Sequence, residues 1–126
     1  MKKIVFLCVE NSCRSQIAEA FANLHGSNKV LAFSAGSNPS GSVNPKAIKL
    51  MKELNYDLSK HESIHTDALP DVQIDKMVSM GCGDSCPTIR AKERIDWDIP
   101  DPKDMDEDEF RQVIKEIETK VLELLN

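Results

Sequence analysis

The sequence predicts an α/β fold, a single-domain three-layer sandwich in which a four-stranded parallel sheet carries helices on both faces. Two observations predict this class. Short apolar runs rich in β-branched residues alternate with segments whose apolar residues recur at helical spacing. The first run, residues 3–8, is apolar throughout after its lysine, as expected of a central parallel strand that is buried on both faces.

The next elements follow from local signals. After the first strand, Ile17, Phe21 and Leu24 form an apolar helical face, and Gly26 ends that helix. Residues 29–34 are predicted to form the second strand.

A second helix begins at Asn44, whose side chain can cap it, and Pro45 suits its first turn. Its apolar face consists of Ala47, Leu50, Met51 and Leu54. A short helix is predicted at residues 66–69.

The second half of the chain predicts strands at residues 76–80 and 95–97, separated by a loop at residues 81–89. The last helix has the clearest apolar face, formed by Phe110, Val113, Ile114, Ile117, Val121 and Leu124. Acidic residues at positions 106–109 lie in its first turn, where negative charge is favourable, so we assign them no function.

Length and composition limit the function classes. The 126 residues fit one catalytic domain, residues 1–126. The net charge of -5 argues against a broad nucleic-acid-binding surface. The apolar run at residues 4–9 is far shorter than the ~20 residues that span a bilayer, and it ends too early for a signal peptide. We therefore expect a cytoplasmic monomer without nucleic-acid or membrane partners.

Cysteines and an aspartate mark the ends of the predicted strands. The four cysteines of a cytoplasmic chain are more typical of thiol chemistry or metal binding than of structural disulfides. Cys8, Cys82 and Asp101 each follow a predicted strand. Because ligands of parallel sheets bind beyond the carboxyl ends of the strands, we expect these residues to share one site.

The segment 8–15 has the form C-x5-R-S between a strand and a helix. Backbone N–H groups of such a turn and the positive helix N-terminus can cradle a tetrahedral oxyanion, and Arg14 adds a bidentate contact. The same positive field favours the thiolate of Cys8, to which Ser15 is placed to donate a hydrogen bond. The alternative is a buried strand-end cysteine followed by a capping serine and a surface arginine. The predicted oxyanion-binding residues are Glu10, Asn11, Ser12, Cys13 and Arg14.

This loop resembles that of the low-molecular-weight protein tyrosine phosphatases and of the thioredoxin-coupled arsenate reductases that share their fold. The resemblance covers nearly the whole chain. It implies that Cys8 is the nucleophile, Arg14 the oxyanion clamp and Ser15 the residue that stabilises the thiolate. It also implies that Asn11 helps to hold the shape of the loop.

The resemblance further implies a general acid at Asp101, in the segment Asp101-Pro102. Asp98 and Asp104 compete for this role, and a surface turn is the structural alternative. The phosphatases usually carry a tyrosine beside this segment, whereas Lys103 follows here. Aromatic residues make up only 5% of the chain, which also argues against an aryl phosphate substrate.

A second cysteine pair, Cys82 and Cys86, resembles the redox segment of the arsenate reductases. By that resemblance Cys8 attacks arsenate, Cys82 attacks Cys8 as arsenite leaves, and Cys86 moves the disulfide outward. A thioredoxin-like protein or a low-molecular-weight thiol then reduces it, without a tightly bound cofactor or metal. The alternatives are two loop cysteines without function, or zinc bound by four thiolates. Cys13 is either a packed residue or a redox group.

These features imply an arsenate reductase that serves arsenical detoxification, with phosphate or sulfate as competing oxyanions. The alternatives are a low-molecular-weight phosphatase and a non-catalytic oxyanion or metal sensor with a redox-sensitive loop. Some relatives bind potassium near the loop, and Asn11, Glu19 and Ser34 correspond to such ligands. His65 stands where a carboxylate is expected, which argues against that site here.

Overall fold

Strands and helices alternate along the chain in the order that the sequence predicts. The computed structural model describes residues 1–81 and 89–126. In this part of the chain the strands are β1 (Lys2–Cys8), β2 (Val30–Gly36), β3 (Ile74–Met80) and β4 (Ala91–Trp97). The α-helices are α1 (Arg14–Gly26), α2 (Pro45–Lys52) and α3 (Glu107–Leu125), with short 3-10 turns at Leu58–Lys60 and Thr66–Ala68.

The strands form one parallel sheet in the order β2-β1-β3-β4, which confirms the predicted sheet. Along β1 the register with β2 runs from Lys2 opposite Val30 to Cys8 opposite Gly36. Since β1 has β2 on one side and β3 on the other, the chain changes direction across the sheet at β1. Such a switch point opens a crevice beyond the strand ends, and Cys8 lies at its edge.

The two faces of the sheet belong to two separate apolar clusters. Phe6 shares a core with Phe21 of α1 and Phe110 of α3, and all three rings are fully buried. Burying each ring contributes roughly 1.5–3 kcal/mol relative to exposure. Val5 points to the opposite face, where residues around the turn Thr66–Ala68 complete the second cluster. The three α-helices all contribute buried residues to the first cluster, and the short turn Thr66–Ala68 lies beside the second. None of the described helices is both long and apolar enough to cross a membrane.

β4 is longer than the sequence predicts. It begins at Ala91 rather than at residue 95. The sequence pattern missed its first half because Lys92, Glu93 and Arg94 are exposed and charged, so this part of the strand carries no apolar run. Among the strands of residues 1–81 and 89–126, β4 pairs with β3 alone, so it lies at the edge of the described sheet. Charged side chains on such an edge oppose pairing with a second chain.

The N-terminus of α2 is held by a side-chain cap. The Asn44 Oδ1 atom accepts hydrogen bonds from the backbone N–H groups of Lys46 at 2.8 Å and Ala47 at 3.1 Å. We expect Asn44→Ala to lower the free energy of unfolding by about 1 kcal/mol because these N–H groups lose their acceptor. Asn44→Asp keeps an acceptor and should lose little. Urea denaturation measures both, and equal losses in the two variants would contradict the capping role.

Candidate active site

The loop at residues 9–13, between β1 and α1, is fixed by its surroundings. Three of its carbonyl groups accept hydrogen bonds from backbone N–H groups outside the loop: Val9 from Asn38 at 2.9 Å, Glu10 from Ser40 at 3.0 Å and Ser12 from Asn44 at 3.0 Å. Carbonyls turned outward direct the N–H groups of a tight loop to its inner side, and this arrangement binds anions.

The N-terminus of α1 adds to the positive field inside the loop. The helix begins at Arg14, and Cys13 at its N-cap makes no side-chain capping hydrogen bond. Its first turn contains no acidic residue. The positive end of the helix dipole is therefore not neutralised by α1 itself and faces the loop that an anion would occupy.

The Cys8 sulfur lies at the base of the loop, 4% exposed, 2.9 Å from the Ser15 Oγ atom. Asn11 is completely buried, and its Nδ2 group donates to the same Ser15 Oγ at 2.8 Å. Its φ of 48° lies in the left-handed region, which asparagine adopts more readily than most residues. The sequence-predicted Cys8, Ser15 and Asn11 are thus brought together, with Asn11 behind the loop rather than facing the cleft.

A cleft of about 470 Å³ opens above the Cys8 sulfur. Of the sequence-predicted residues, those that line it are Cys8, Glu10, Ser12, Cys13, Arg14 and Asp101. Of the three candidate aspartates Asp98, Asp101 and Asp104, Asp101 is the one that lines it. Four further described residues also line it: Val9, Asn38, Gly81 and Lys103. The described lining contains no aromatic residue.

The Arg14 guanidinium is held from three sides. Its Nη1 group donates to the Ile99 carbonyl at 3.0 Å, and its Nη2 group lies 3.8 Å from the Asp101 carboxylate. Gly81 closes the third side, because a Cβ atom there would come within 2.2 Å of Nη1. Sequence reasoning missed both Gly81 and Ile99. A glycine directly after a strand was a usable signal for Gly81. The Ile99 contact is made by a backbone carbonyl, which every residue has, so the sequence contains no signal for it.

Cys13 lies in the same cleft but is a poor nucleophile. Burial, followed by the negative charge of Asp101, raises the pKa of the Cys13 thiol to about 12. This thiol is therefore protonated at neutral pH, which favours the packed-residue interpretation over a redox role.

Charge in the cleft is balanced in pairs. Lys103 lies 3.6 Å from Glu10 across the loop, and Arg14 faces Asp101. An arriving oxyanion must compete with these carboxylates.

The residues that correspond to potassium ligands are only partly assembled. Ser34 Oγ donates to Glu19 Oε1 at 2.5 Å, and burial raises the pKa of the Glu19 carboxyl. His65 instead accepts a hydrogen bond from the Asp67 backbone N–H at 3.0 Å and caps the turn Thr66–Ala68. Within residues 1–81 and 89–126, no group of three or more His, Cys, Asp or Glu side chains could hold a metal ion. Cys82 and Cys86 lie outside the described residues.

Comparison with known proteins identifies the family. The model of the low molecular weight phosphotyrosine protein phosphatase family matches residues 3–126. The chain belongs to this family.

Known proteins and solved structures resemble the chain over nearly its full length. A glutaredoxin arsenate reductase from Synechocystis is 35% identical, with 99% of this chain and 97% of the relative covered. An arsenate reductase solved in the phosphate binding state has a TM-score of 0.90 at 34% identity, covering 99% and 97%. A thioredoxin-dependent arsenate reductase from Corynebacterium glutamicum has a TM-score of 0.79 at 30% identity, covering 98% of this chain and 60% of its own.

Proposed function

We propose that this member of the phosphatase family reduces arsenate to arsenite, in one catalytic domain formed by residues 1–126. The observation that carries the proposal is the likeness to arsenate reductases over 97–99% of both chains. The cleft supports it, because Cys8 and Arg14 meet at a loop built for a tetrahedral oxyanion. Arsenate is such an anion, and phosphate and sulfate have the same shape and would compete.

In the first step the Cys8 thiolate attacks the arsenic atom of arsenate. The inner N–H groups of the loop and Arg14 bind the remaining oxygens, where the negative charge concentrates. Asp101 gives a proton to the departing oxygen, which leaves as water, and a Cys8 thioarsenate remains. Asp101 is a carboxylate after this step, when the oxyanion is already bound to Cys8.

In the second step the Cys82 thiolate attacks the Cys8 sulfur. The sulfur–arsenic bond breaks, its electron pair stays on arsenic, and arsenite leaves as a Cys8–Cys82 disulfide forms. Cys86 then attacks Cys82, which releases the Cys8 thiolate and leaves a Cys82–Cys86 disulfide. An external thiol reductant reduces this disulfide to two thiols and is itself oxidised, so two electrons pass to each arsenate.

The names of two similar proteins point to two reductants, thioredoxin and glutaredoxin. We propose a thioredoxin-like protein as the partner, with a low-molecular-weight thiol as the alternative. A cycle that depends on free thiols requires a reducing compartment, so we propose that the protein is cytoplasmic. We also propose that it is a monomer with no tightly bound cofactor.

A coupled assay tests the proposed function. With thioredoxin, thioredoxin reductase and NADPH, we expect NADPH oxidation that requires both arsenate and the protein, and that phosphate inhibits competitively. A parallel assay replaces thioredoxin and its reductase by glutaredoxin, glutathione and glutathione reductase, and the comparison identifies the reductant. Failure of both assays to oxidise NADPH with arsenate, while the reduced protein binds arsenate, would indicate a sensor and contradict the proposal.

The family supports a second candidate, hydrolysis of phosphate monoesters. Cys8, Arg14 and Asp101 suffice for it, since Cys8 displaces the alcohol from phosphorus and water then hydrolyses the phosphocysteine, which releases phosphate and the Cys8 thiolate. Lys103 and the cleft lining without described aromatic residues disfavour an aryl ester. A higher kcat/KM for p-nitrophenyl phosphate than for arsenate would favour this candidate.

A further inference from the structure

A buried glutamine lies behind the anion loop, on the side away from the cleft. Gln16 is fully buried, and its Nε2 group faces the Asn11 carbonyl at 3.1 Å, the Asn11 Oδ1 atom at 3.0 Å and the Glu62 carbonyl at 2.9 Å. Backbone carbonyls only accept hydrogen bonds, so the amide nitrogen must be on this side. The Gln16 Oε1 atom then faces the His61 Nδ1 atom at 2.9 Å and accepts from it.

His61 is thereby fixed in one tautomer. Its Nδ1 atom carries the proton, which goes to Gln16 rather than to the Glu19 carboxylate 3.8 Å away. Its Nε2 atom lies 2.6 Å from the Tyr56 hydroxyl, and the side chain is 9% exposed. Burial lowers the pKa of His61 and raises the pKa of Tyr56. Both groups are therefore neutral, and the His61 imidazole accepts a hydrogen bond from the Tyr56 hydroxyl. Asp57 is the other charged group that acts on His61.

The inner half of this network is also fixed in direction. The Asn11 Oδ1 atom accepts the backbone N–H of Ile64 at 2.9 Å, which settles the orientation of its amide. Nδ2 therefore donates to Ser15 Oγ, and when Cys8 is a thiolate, which can only accept, the Ser15 hydroxyl donates to its sulfur at 2.9 Å.

All these hydrogen bonds point the same way. Donors in a row polarise one another, so each bond strengthens the next. The last donor is aimed at the sulfur, and a hydrogen bond to the charged form of a group favours that form. The bonds run in this order: Tyr56 to His61, His61 to Gln16, Gln16 to Asn11, Asn11 to Ser15 and Ser15 to Cys8.

We propose that His61 is a positioning residue that, through Gln16 and Asn11, favours the thiolate of Cys8. It touches neither Cys8 nor the cleft and acts only through the network. The inference rests on the proposed nucleophilic role of Cys8, but not on arsenate as the substrate.

The test follows the ionisation of Cys8 in the reduced full-length protein. The rate of Cys8 alkylation by iodoacetamide is measured against pH, by mass spectrometry of the peptide that contains Cys8. For His61→Leu we expect the midpoint of this pH dependence to move to higher pH by about one unit, because the thiolate loses part of the stabilisation that the network provides. None of the variants substitutes the charged and titratable groups around Cys8, which are Glu10, Cys13, Arg14, Asp101 and Lys103.

A matched variant separates positioning from folding. His61→Asn keeps an N–H donor near the Nδ1 position, and its midpoint should stay within about 0.3 unit of wild type. Equal midpoints in wild type and His61→Leu would overturn the proposal, as would equal shifts in the leucine and asparagine variants. If His61→Leu does not fold, Tyr56→Phe, which removes one oxygen, replaces it. A midpoint higher than that of wild type then supports the proposal, and an unchanged midpoint contradicts it. Because no arsenate is present, loss of the proposed reductase function would not affect the result.

Discussion

Replacing Cys8 by serine is expected to abolish both arsenate reduction and phosphate ester hydrolysis. A serine hydroxyl lacks the ionised nucleophile, and its attack on arsenic would leave no sulfur for the later disulfide. We expect a loss of about 10⁴-fold or more in either activity, as for other enzymes that lose their nucleophile. The measurements are the coupled arsenate assay and p-nitrophenyl phosphate hydrolysis.

Two further serine variants turn this prediction into a test of the disulfide relay. Cys82→Ser should abolish arsenate turnover but keep slow ester hydrolysis, because hydrolysis requires only Cys8. Cys13→Ser should keep both activities within about threefold, since its thiol has a pKa of about 12 and stays protonated. Wild-type arsenate turnover in Cys82→Ser would contradict the relay, and loss of both activities in Cys13→Ser would contradict the packed-residue interpretation.

The sequence predicted the fold where local patterns and long-range packing agree. β1, α1 and α3 carry continuous or periodic apolar residues, and the structure contains all three. The sequence prediction was wrong about burial where a residue's neighbours come from distant parts of the chain. Leu24 was assigned to the apolar face of α1 but is 42% exposed, whereas Gln16 on the same helix is fully buried. A polar side chain can be buried when every polar atom has a partner, and those partners lie up to 46 positions away.

The site shows the same division. Cys8, Arg14 and Asp101 were predicted from one loop and one strand end, and the structure brings them to one cleft. Their chemical roles stay predictions. What fixes the Arg14 side chain could not be predicted, because Ile99 and Gly81 come from two other connections of the sheet. Such contacts depend on the register of strands that are distant in sequence, and no local pattern encodes that register.

Gly81 is the position where a single methyl group should do the most damage to the cleft. Gly81→Ala would place a Cβ atom 2.2 Å from the Arg14 Nη1 atom, in the space that the guanidinium occupies. The arginine must then leave its hydrogen bond to Ile99 and its place beside the loop. We expect arsenate kcat/KM to fall by about 10²-fold, as when an oxyanion-stabilising donor is removed. Phosphate should also inhibit less, because the same guanidinium binds both oxyanions.

A second glycine supplies the control that separates this clash from backbone strain. Gly81 and Gly41 both have a positive φ, 76° and 89°, so alanine at either position strains the backbone, at a cost of about 1 kcal/mol. A Cβ atom at Gly41 meets no atom within 4 Å. Gly41→Ala should therefore lose similar stability in urea denaturation but keep its kcat/KM and its phosphate inhibition. Equal losses of activity in the two variants would mean that strain, and not displacement of Arg14, is responsible. Activity retained in Gly81→Ala would mean that the guanidinium position seen here is not the one that binds the oxyanion.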